Sequence, residues 1–326
     1  MKRNRLAPPS GSIERASTAG ADTSGPAWRG LFSVRSSRNH RHADGQALVP
    51  ENHGRRGDDY ILSDFEIADF HAKGYITLRS VLTANELKQI EPAFETFVSG
   101  KVPGMDRDFC DMSGPYDRKF TEFSLVNAML PRKYWPAIRG NIFERRAASI
   151  ARQLIGPDAT LDYDQFLAKR PAKPDAQFFW HQDLGYWPTG TPDTLTATCS
   201  LALDDADSEN GCLRVVPGSQ KQGLRPHRPL HGEDREKSHV LSVELSPHDE
   251  IVELPLRRGD ITVHDELIVH GSGGNTSMNR WRRTYIAAFR SRACVDFERS
   301  IGFTHSHNDA INWTTHLGAL RDLRQS

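Results

Sequence analysis

His181 and Asp183 stand two residues apart in Phe178-Phe-Trp-His-Gln-Asp-Leu-Gly-Tyr-Trp187. In a β-type run, side chains at i and i+2 leave the same face, so an imidazole nitrogen and a carboxylate oxygen can share one metal ion. A third ligand has to come from elsewhere, and His270 is the candidate. It sits in Val269-His-Gly-Ser-Gly-Gly-Asn275, after a β-type run, where the glycines let backbone approach a ligand. Two imidazoles and one carboxylate on one side of an octahedral ion leave three positions open, the facial arrangement of non-haem iron(II) oxygenases. Spacing alone also allows His181 and Asp183 to be a hydrogen-bonded pair flanking a turn. His264, in Val263-His-Asp-Glu266, lies six residues before His270 and lacks the Gly-Ser that follows it, so a structural role is expected there. Asp260, in Arg258-Gly-Asp260, suits a turn before a strand.

The elements that must position these residues are legible in outline. Ser63-Asp-Phe-Glu66 and Thr83-Ala-Asn-Glu86 have capping-box form and open helices to about Ala72 and about Val98. Between them, Tyr75–Arg79 alternates as a strand does. Residues 100–117 read as a loop, and a helix is expected from about Asn141 to Leu154, stopped by Gly156-Pro157. After Ala159 short β-rich runs recur between Pro, Gly and Asp clusters: 161–169, 177–183, 195–203, 213–216, 251–254, 260–264 and 284–290. That texture predicts a sandwich or jelly roll and not alternating β-α units.

Composition sets outer bounds. The 42 basic and 42 acidic side chains cancel, which argues against a general nucleic-acid or membrane-surface binder. No run approaches the roughly 18 apolar residues of a membrane span. Four scattered cysteines (Cys110, Cys199, Cys212, Cys294) without a C-x-x-C pair predict reduced thiols and a cytoplasmic setting. Residues 1–58 contain only eight Leu, Ile, Val, Phe or Trp and carry ten basic against five acidic side chains. They are expected to be a disordered N-terminal tail. The neutral total is therefore a +5 tail against a −5 body. Of the 326 residues, 59–300 are expected to form one domain with its β core at about 160–292, followed by a C-terminal extension over 301–326. No P-loop, dinucleotide fingerprint or nucleophile elbow is present.

From about Tyr60 to Phe289 the chain resembles the phytanoyl-CoA dioxygenase family of iron(II)- and 2-oxoglutarate-dependent oxygenases. The marks fall in order: Gly74-Tyr-Ile-Thr-Leu78, Asp164-Gln-Phe-Leu-Ala-Lys169, Trp180-His-Gln-Asp183, Leu201-Ala-Leu-Asp-Asp205, Asn210–Ser219, Arg258-Gly-Asp260, His270–Asn275 and Arg282-Arg283. The resemblance implies a mainly β fold with flanking helices around a double-stranded β-helix (jelly-roll, cupin-like) core. It implies iron(II) held by His181, Asp183 and His270, with 2-oxoglutarate and O2 as co-substrates. Arg282 matches the arginine that grips the distal carboxylate of 2-oxoglutarate, a task that suits a planar guanidinium. Ser272, Gln165, Lys169 and Gln182 match other positions lining that pocket.

Two departures from the family pattern stand out. The spacing from Asn275 to Arg282 is one residue longer than usual, so Arg283 or Arg280 is the alternative anchor. Strand alternation puts Arg282 on a face with Thr284 and Ile286, and Arg283 with Tyr285 and Phe289. Ser200 occupies a position where many relatives carry a tryptophan. Because Asp183 is present, oxygen insertion is expected and halogenation is not. The implied activity is hydroxylation or related oxidation of a small molecule, a natural product or metabolite, with release of succinate and CO2. An acyl-CoA 2-hydroxylase is the alternative within the class, and a non-catalytic β-helix binding protein the alternative outside it. Tyr186, Trp187 and residues 220–239 are expected around the pocket mouth. The only partner expected is a small-molecule substrate, with no nucleic acid, membrane or obligate protein partner.

Overall fold

The computed structural model describes residues 34–36, 54–230 and 238–311. Eight strands form the core, four in each of two antiparallel sheets, and the chain changes sheet from one core strand to the next except between the fourth and the fifth. Thr160–Lys169, Thr196–Ala202, Ile261–His264 and Arg282–Arg290 lie in one sheet. Phe178–His181, Leu213–Val215, Ile251–Leu254 and His270–Ser272 lie in the other. The neighbour order in the first sheet is Ile261–His264, Thr196–Ala202, Arg282–Arg290, Thr160–Lys169; in the second it is Ile251–Leu254, Leu213–Val215, His270–Ser272, Phe178–His181. This winding is a double-stranded β-helix, the expected fold.

Further strands extend both sheets. Tyr75–Leu78 adds to one edge of the first, and Leu125–Met129 with Phe109–Asp111 to the other, making seven strands. The last two were not legible: residues 100–117 read as a loop, yet Phe109–Asp111 within them is a strand, paired with Leu125–Met129 beyond them. A final helix, Arg292–Ser300, was also not anticipated.

Period-two alternation decides which side chains reach the interior of the β-helix. On Thr160–Lys169, Phe166 and Ala168 belong to the main apolar core, whereas Gln165 and Leu167 line a cavity between the sheets. On Arg282–Arg290, Tyr285, Ala287 and Phe289 join the core while Arg282, Thr284 and Ile286 line the cavity. The core-facing side is covered by helices Ala84–Val98 and Ile142–Ile155. Phe94 and Phe97 meet Phe166 at ring-centroid distances of 4.6 and 5.4 Å, and Phe143 meets Tyr285 at 4.9 Å. Each such buried ring contributes roughly 1.5–3 kcal/mol relative to an exposed one, which fixes the sheet from outside and leaves its inner face for polar residues. Both capping boxes form: Glu66 N–H donates to Ser63 Oγ at 3.3 Å, and Glu86 N–H to Thr83 Oγ1 at 3.3 Å.

The boundary drawn at residue 58 falls inside the fold. Gly54 accepts a backbone hydrogen bond from Ile61 at 2.8 Å, Arg55–Arg56 pairs with Asp59–Tyr60, and Gly57 carbonyl accepts from the Arg146 guanidinium at 2.8 Å. Their polar composition hid this, because backbone groups make most of the contacts, with an exposed Asp58–Arg145 ion pair at 3.1 Å beside them. Val34–Ser36 pairs in parallel with Ile251–Glu253. The rest of the expected tail lies outside the described residues, as do residues 312–326. The C-terminal boundary at 301 is also displaced, because residues 303–308 pack against the β core. All four cysteines are free and buried. No helix among the described residues is long and apolar enough to cross a membrane.

Candidate active site

Strand pairing sets His270 directly opposite His181. The two strands approach so closely that a Cβ on Gly271 would lie 2.9 Å from Phe178 O, so glycine is required there. Asp183 is not in the strand as expected: Phe178–His181 ends before it, and Asp183 opens a 3-10 turn over Asp183–Tyr186. The turn still returns its carboxylate to the histidines. Asp183 Oδ1 lies 3.3 Å from His181 Nε2 and 3.5 Å from His270 Nε2, and the donor atoms of all three residues fall within 4.8 Å of one another.

Backbone carbonyls orient the two rings. His181 Nδ1 is 2.6 Å from Phe179 O and His270 Nδ1 is 3.0 Å from Ile268 O. A ring that donates from Nδ1 keeps its lone pair at Nε2, the nitrogen facing Asp183, as a metal-ligating histidine must. Burial, then the neighbouring His181, hold the pKa of His270 well below the usual value, so its ring is neutral. Burial pushes Asp183 upward, but His270, His181 and His264 outweigh it and keep the carboxylate ionised. Two imidazoles with their Nε2 atoms turned to one carboxylate, all three mutually close, fit a divalent transition-metal ion.

His264 is closer to this cluster than expected. Its Nε2 lies 3.2 Å from Asp183 Oδ2, the oxygen turned away from His181 and His270. Its place in strand Ile261–His264, on the cavity side with Thr262, was the signal available in the sequence.

The cavity beside the cluster has two lobes. The first encloses, with its open mouth, about 740 Å³ and is lined by Arg282, Ser272, Thr284, Thr198 and Ser200 among others. Arg282 is 9% exposed, and among the described residues no hydrogen bond or ion pair satisfies its guanidinium. Burial lowers its pKa to about 10. The alternative anchors are already engaged. Arg283 pairs with Asp204 at 2.6 Å and with Glu95, and Arg280 pairs with Asp207 at 2.8 Å and Glu209 at 2.6 Å. Lys169, the register partner of Arg282, does not line the lobe; it stands behind Ser272, donating from Nζ to Ser272 Oγ at 2.7 Å and to Gly273 carbonyl. Burial, then Arg282 and Arg214, hold its pKa well below the usual value.

Gln165 lines both lobes and donates to Asn127 Oδ1 at 2.7 Å. Gln182 does not reach the cavity. Between two inward residues its side chain points the other way, donating to Gly223 and Leu267 carbonyls at 2.8 and 2.7 Å and accepting from Arg225 N–H at 2.7 Å. That corrects its expected role: Gln182 ties loops together.

The second lobe, about 480 Å³, shares His181 and Asp183 with the first and is walled by Tyr163, Tyr186, Trp187 and His239 and by Phe303, His305 and His307 of the C-terminal segment. Tyr186, Trp187 and His239 were expected at the mouth. Elsewhere in residues 220–239, Arg225 pairs with Asp249 and His227 is buried, its Nε2 accepting from Gln182 N–H at 3.0 Å. The C-terminal wall was missed, although alternating imidazoles in Thr304-His-Ser-His307 were visible.

A family model described as phytanoyl-CoA dioxygenase (PhyH) matches residues 70–284. The chain belongs to the phytanoyl-CoA dioxygenase family. It is a 2-oxoglutarate-dependent non-haem iron dioxygenase, with iron(II), 2-oxoglutarate and O2 as the family's reaction components. Among family relatives, a probable alpha-ketoglutarate-dependent hypophosphite dioxygenase of Stutzerimonas stutzeri is 28% identical over 218 residues, 64% of this chain and 72% of that protein. An ectoine dioxygenase of Sphingopyxis alaskensis is 24% identical, covering 70% and 76%. The crystal structure of EvdO2 from Micromonospora carbonacea var. aurantiaca with 2-oxoglutarate superposes with a TM-score of 0.56 at 25% identity, over 71% of this chain and 91% of that one.

Proposed function

We propose that His181, Asp183 and His270 hold iron(II), and that Arg282 grips the distal carboxylate of 2-oxoglutarate in the first lobe. The observation that carries this reading is a buried guanidinium without an acidic partner, facing one cavity with a three-donor metal cluster. Ser272, held by Lys169 from behind, supports the co-substrate, and Gln165 stands where the two lobes meet.

When bound, iron(II), 2-oxoglutarate and O2 supply the oxidising power that places one oxygen atom on a substrate carbon and the other in succinate, with CO2 released. The chain's own part is to orient. The carbonyl-anchored imidazoles fix the metal face, and Arg282 fixes the co-substrate by two parallel charge-assisted hydrogen bonds. The aromatic wall of the second lobe excludes water and holds the target C–H bond beside the metal. The substrate is a small molecule, a natural product or metabolite, and the outcome is hydroxylation or a related oxidation. An acyl-CoA substrate is the second reading, favoured by the resemblance to phytanoyl-CoA dioxygenases of mammals, one of Mus musculus 30% identical over 41% of its length and one of Rattus norvegicus 23% identical over 74%. Four free, buried thiols support a cytoplasmic enzyme.

The test is substrate-dependent conversion of 2-oxoglutarate to succinate across panels of small acids, polycyclic compounds and acyl-CoA thioesters. One panel should stimulate turnover in the native enzyme and not in His181→Ala. Stimulation retained in His181→Ala contradicts the proposed site, and stimulation confined to acyl-CoA thioesters favours the second reading.

A further inference from the structure

The second lobe has a chemistry of its own. Among the described residues, its wall contains no lysine, arginine or acid besides Asp183, which belongs to the metal cluster. Apart from the Gln165 amide, its polar side chains are aromatic, chiefly phenols and imidazoles, and the C-terminal segment supplies much of that wall.

Two buried carboxylates clamp this segment. Asp108 accepts from His307 N–H at 2.7 Å and from Ser306 Oγ at 2.7 Å. Asp162 pairs with His305 Nε2 at 2.7 Å and with Arg299 at 2.5 Å. Glu298 lies 3.5 Å from His305 and 2.5 Å from Arg290. The His305 ring is boxed by Tyr163 at 4.4 Å, Phe303 at 4.5 Å and Trp187 at 5.6 Å. With Nε2 given to Asp162, its Nδ1 makes no hydrogen bond among the described residues.

Both acids meet His305 at the same nitrogen, Asp162 at 2.7 Å and Glu298 at 3.5 Å from Nε2. Burial drives His305 toward neutrality, but Asp162 and then Glu298 outweigh it and raise its pKa to about 9. A protonated imidazole donates from both nitrogens, so with Nε2 held by the carboxylates Nδ1 offers the lobe a charge-assisted donor, which an anionic acceptor satisfies best. Among the described residues the wall of the lobe supplies no acid besides Asp183.

We propose that the second lobe is the substrate subsite and that it takes a small carboxylic acid with a ring-containing or apolar body, whose carboxylate accepts a hydrogen bond from the His305 edge. The aromatic walls receive the body, and the target carbon lies toward His181 and Asp183. This rests on the iron and 2-oxoglutarate reading of the first lobe. The C-terminal segment is then a specificity element: it binds the substrate's anionic group and takes no part in the oxidation.

The test uses the full-length enzyme loaded with iron(II) and saturating 2-oxoglutarate without O2, titrated with 3-phenylpropanoate, its primary amide and 3-phenylpropylamine. These share size and shape and differ in charge. The acid should perturb the metal-to-2-oxoglutarate charge-transfer band with an apparent Kd at least tenfold below that of the amide, and the amine should bind weakest. His305→Gln should abolish the preference for the acid. Because that variant also disturbs a buried ion pair, the wild-type ranking decides independently. Parity, reversal, no response to any of the three, or loss of the band through displacement of 2-oxoglutarate overturns the proposal. Failure of the band to form before any probe is added is a different result, and points to the first-lobe reading.

Discussion

Replacing Arg282 with methionine keeps a long unbranched side chain and removes the buried charge. In the complex, Arg282 would donate two charge-assisted hydrogen bonds to a carboxylate in a site shielded from water. Removing one partner of a buried charge pair costs about 2–5 kcal/mol, and each 1.4 kcal/mol is tenfold in Kd. The variant should therefore bind 2-oxoglutarate between about thirtyfold and a few thousandfold more weakly. Without 2-oxoglutarate the sign reverses. Burial brings the guanidinium pKa down to about 10, a cost of charge burial on the order of 3 kcal/mol, and methionine relieves it. The apoprotein should melt at a higher temperature than wild type. Isothermal titration of 2-oxoglutarate into the iron-loaded enzyme without O2, paired with thermal melts with and without co-substrate, measures both. Arg283→Gln is the control. It loses the ion pairs to Asp204 and Glu95, so it should destabilise the fold while leaving 2-oxoglutarate affinity within about threefold, less than 1 kcal/mol. An unchanged 2-oxoglutarate affinity in Arg282→Met, or a large loss in Arg283→Gln, refutes the assignment.

Two further outcomes are expected. His264 lies against the outer oxygen of Asp183, and loss of such a supporting partner typically weakens metal binding about 10- to 100-fold. His264→Leu should show that loss in anaerobic iron(II) titrations and His264→Gln should recover part of it; equal affinity in both and in wild type removes the positioning role. His305 has a folded pKa raised to about 9 against roughly 6.5 unfolded, so its stabilising contribution is complete below about pH 6.5 and disappears as pH rises through about 9. Asp162, whose pKa is held down by His305 and Arg299 against burial, loses its contribution only in strong acid. Trp187 packs edge-on to His305 at 5.6 Å, so its fluorescence, isolated by difference from Trp187→Phe, should change with a midpoint near pH 9. A midpoint near 6.5 contradicts the ion pair.

Much of this architecture was legible where local chemistry and burial agreed. The two capping boxes, the strand at Ile251–Leu254 and the inward face of Arg282, Thr284 and Ile286 all follow from short-range pattern. What escaped was settled by distant contacts. Leu125–Met129 is buried at every position and so has no alternation to read. The Gly54–Asp58 turn is polar in sequence and is held by Arg146 from far along the chain. Gln182 was misplaced because its position between His181 and Asp183 suggested a shared pocket, whereas alternation turns it outward. His264 was underestimated because its partner, Asp183, is 81 residues away. The C-terminal wall depends on Asp108 and Asp162, whose spacing from residues 303–308 carries no local signal.

The central claim is that one cavity of this chain holds iron(II) on His181, Asp183 and His270 and 2-oxoglutarate on Arg282. Anaerobic titration of the apoprotein with iron(II) and then 2-oxoglutarate tests it most directly. A weak visible charge-transfer band should develop, saturating at one iron and one 2-oxoglutarate per chain, and should be absent in His181→Ala. No band in the native protein, or an undiminished band in His181→Ala, would contradict it.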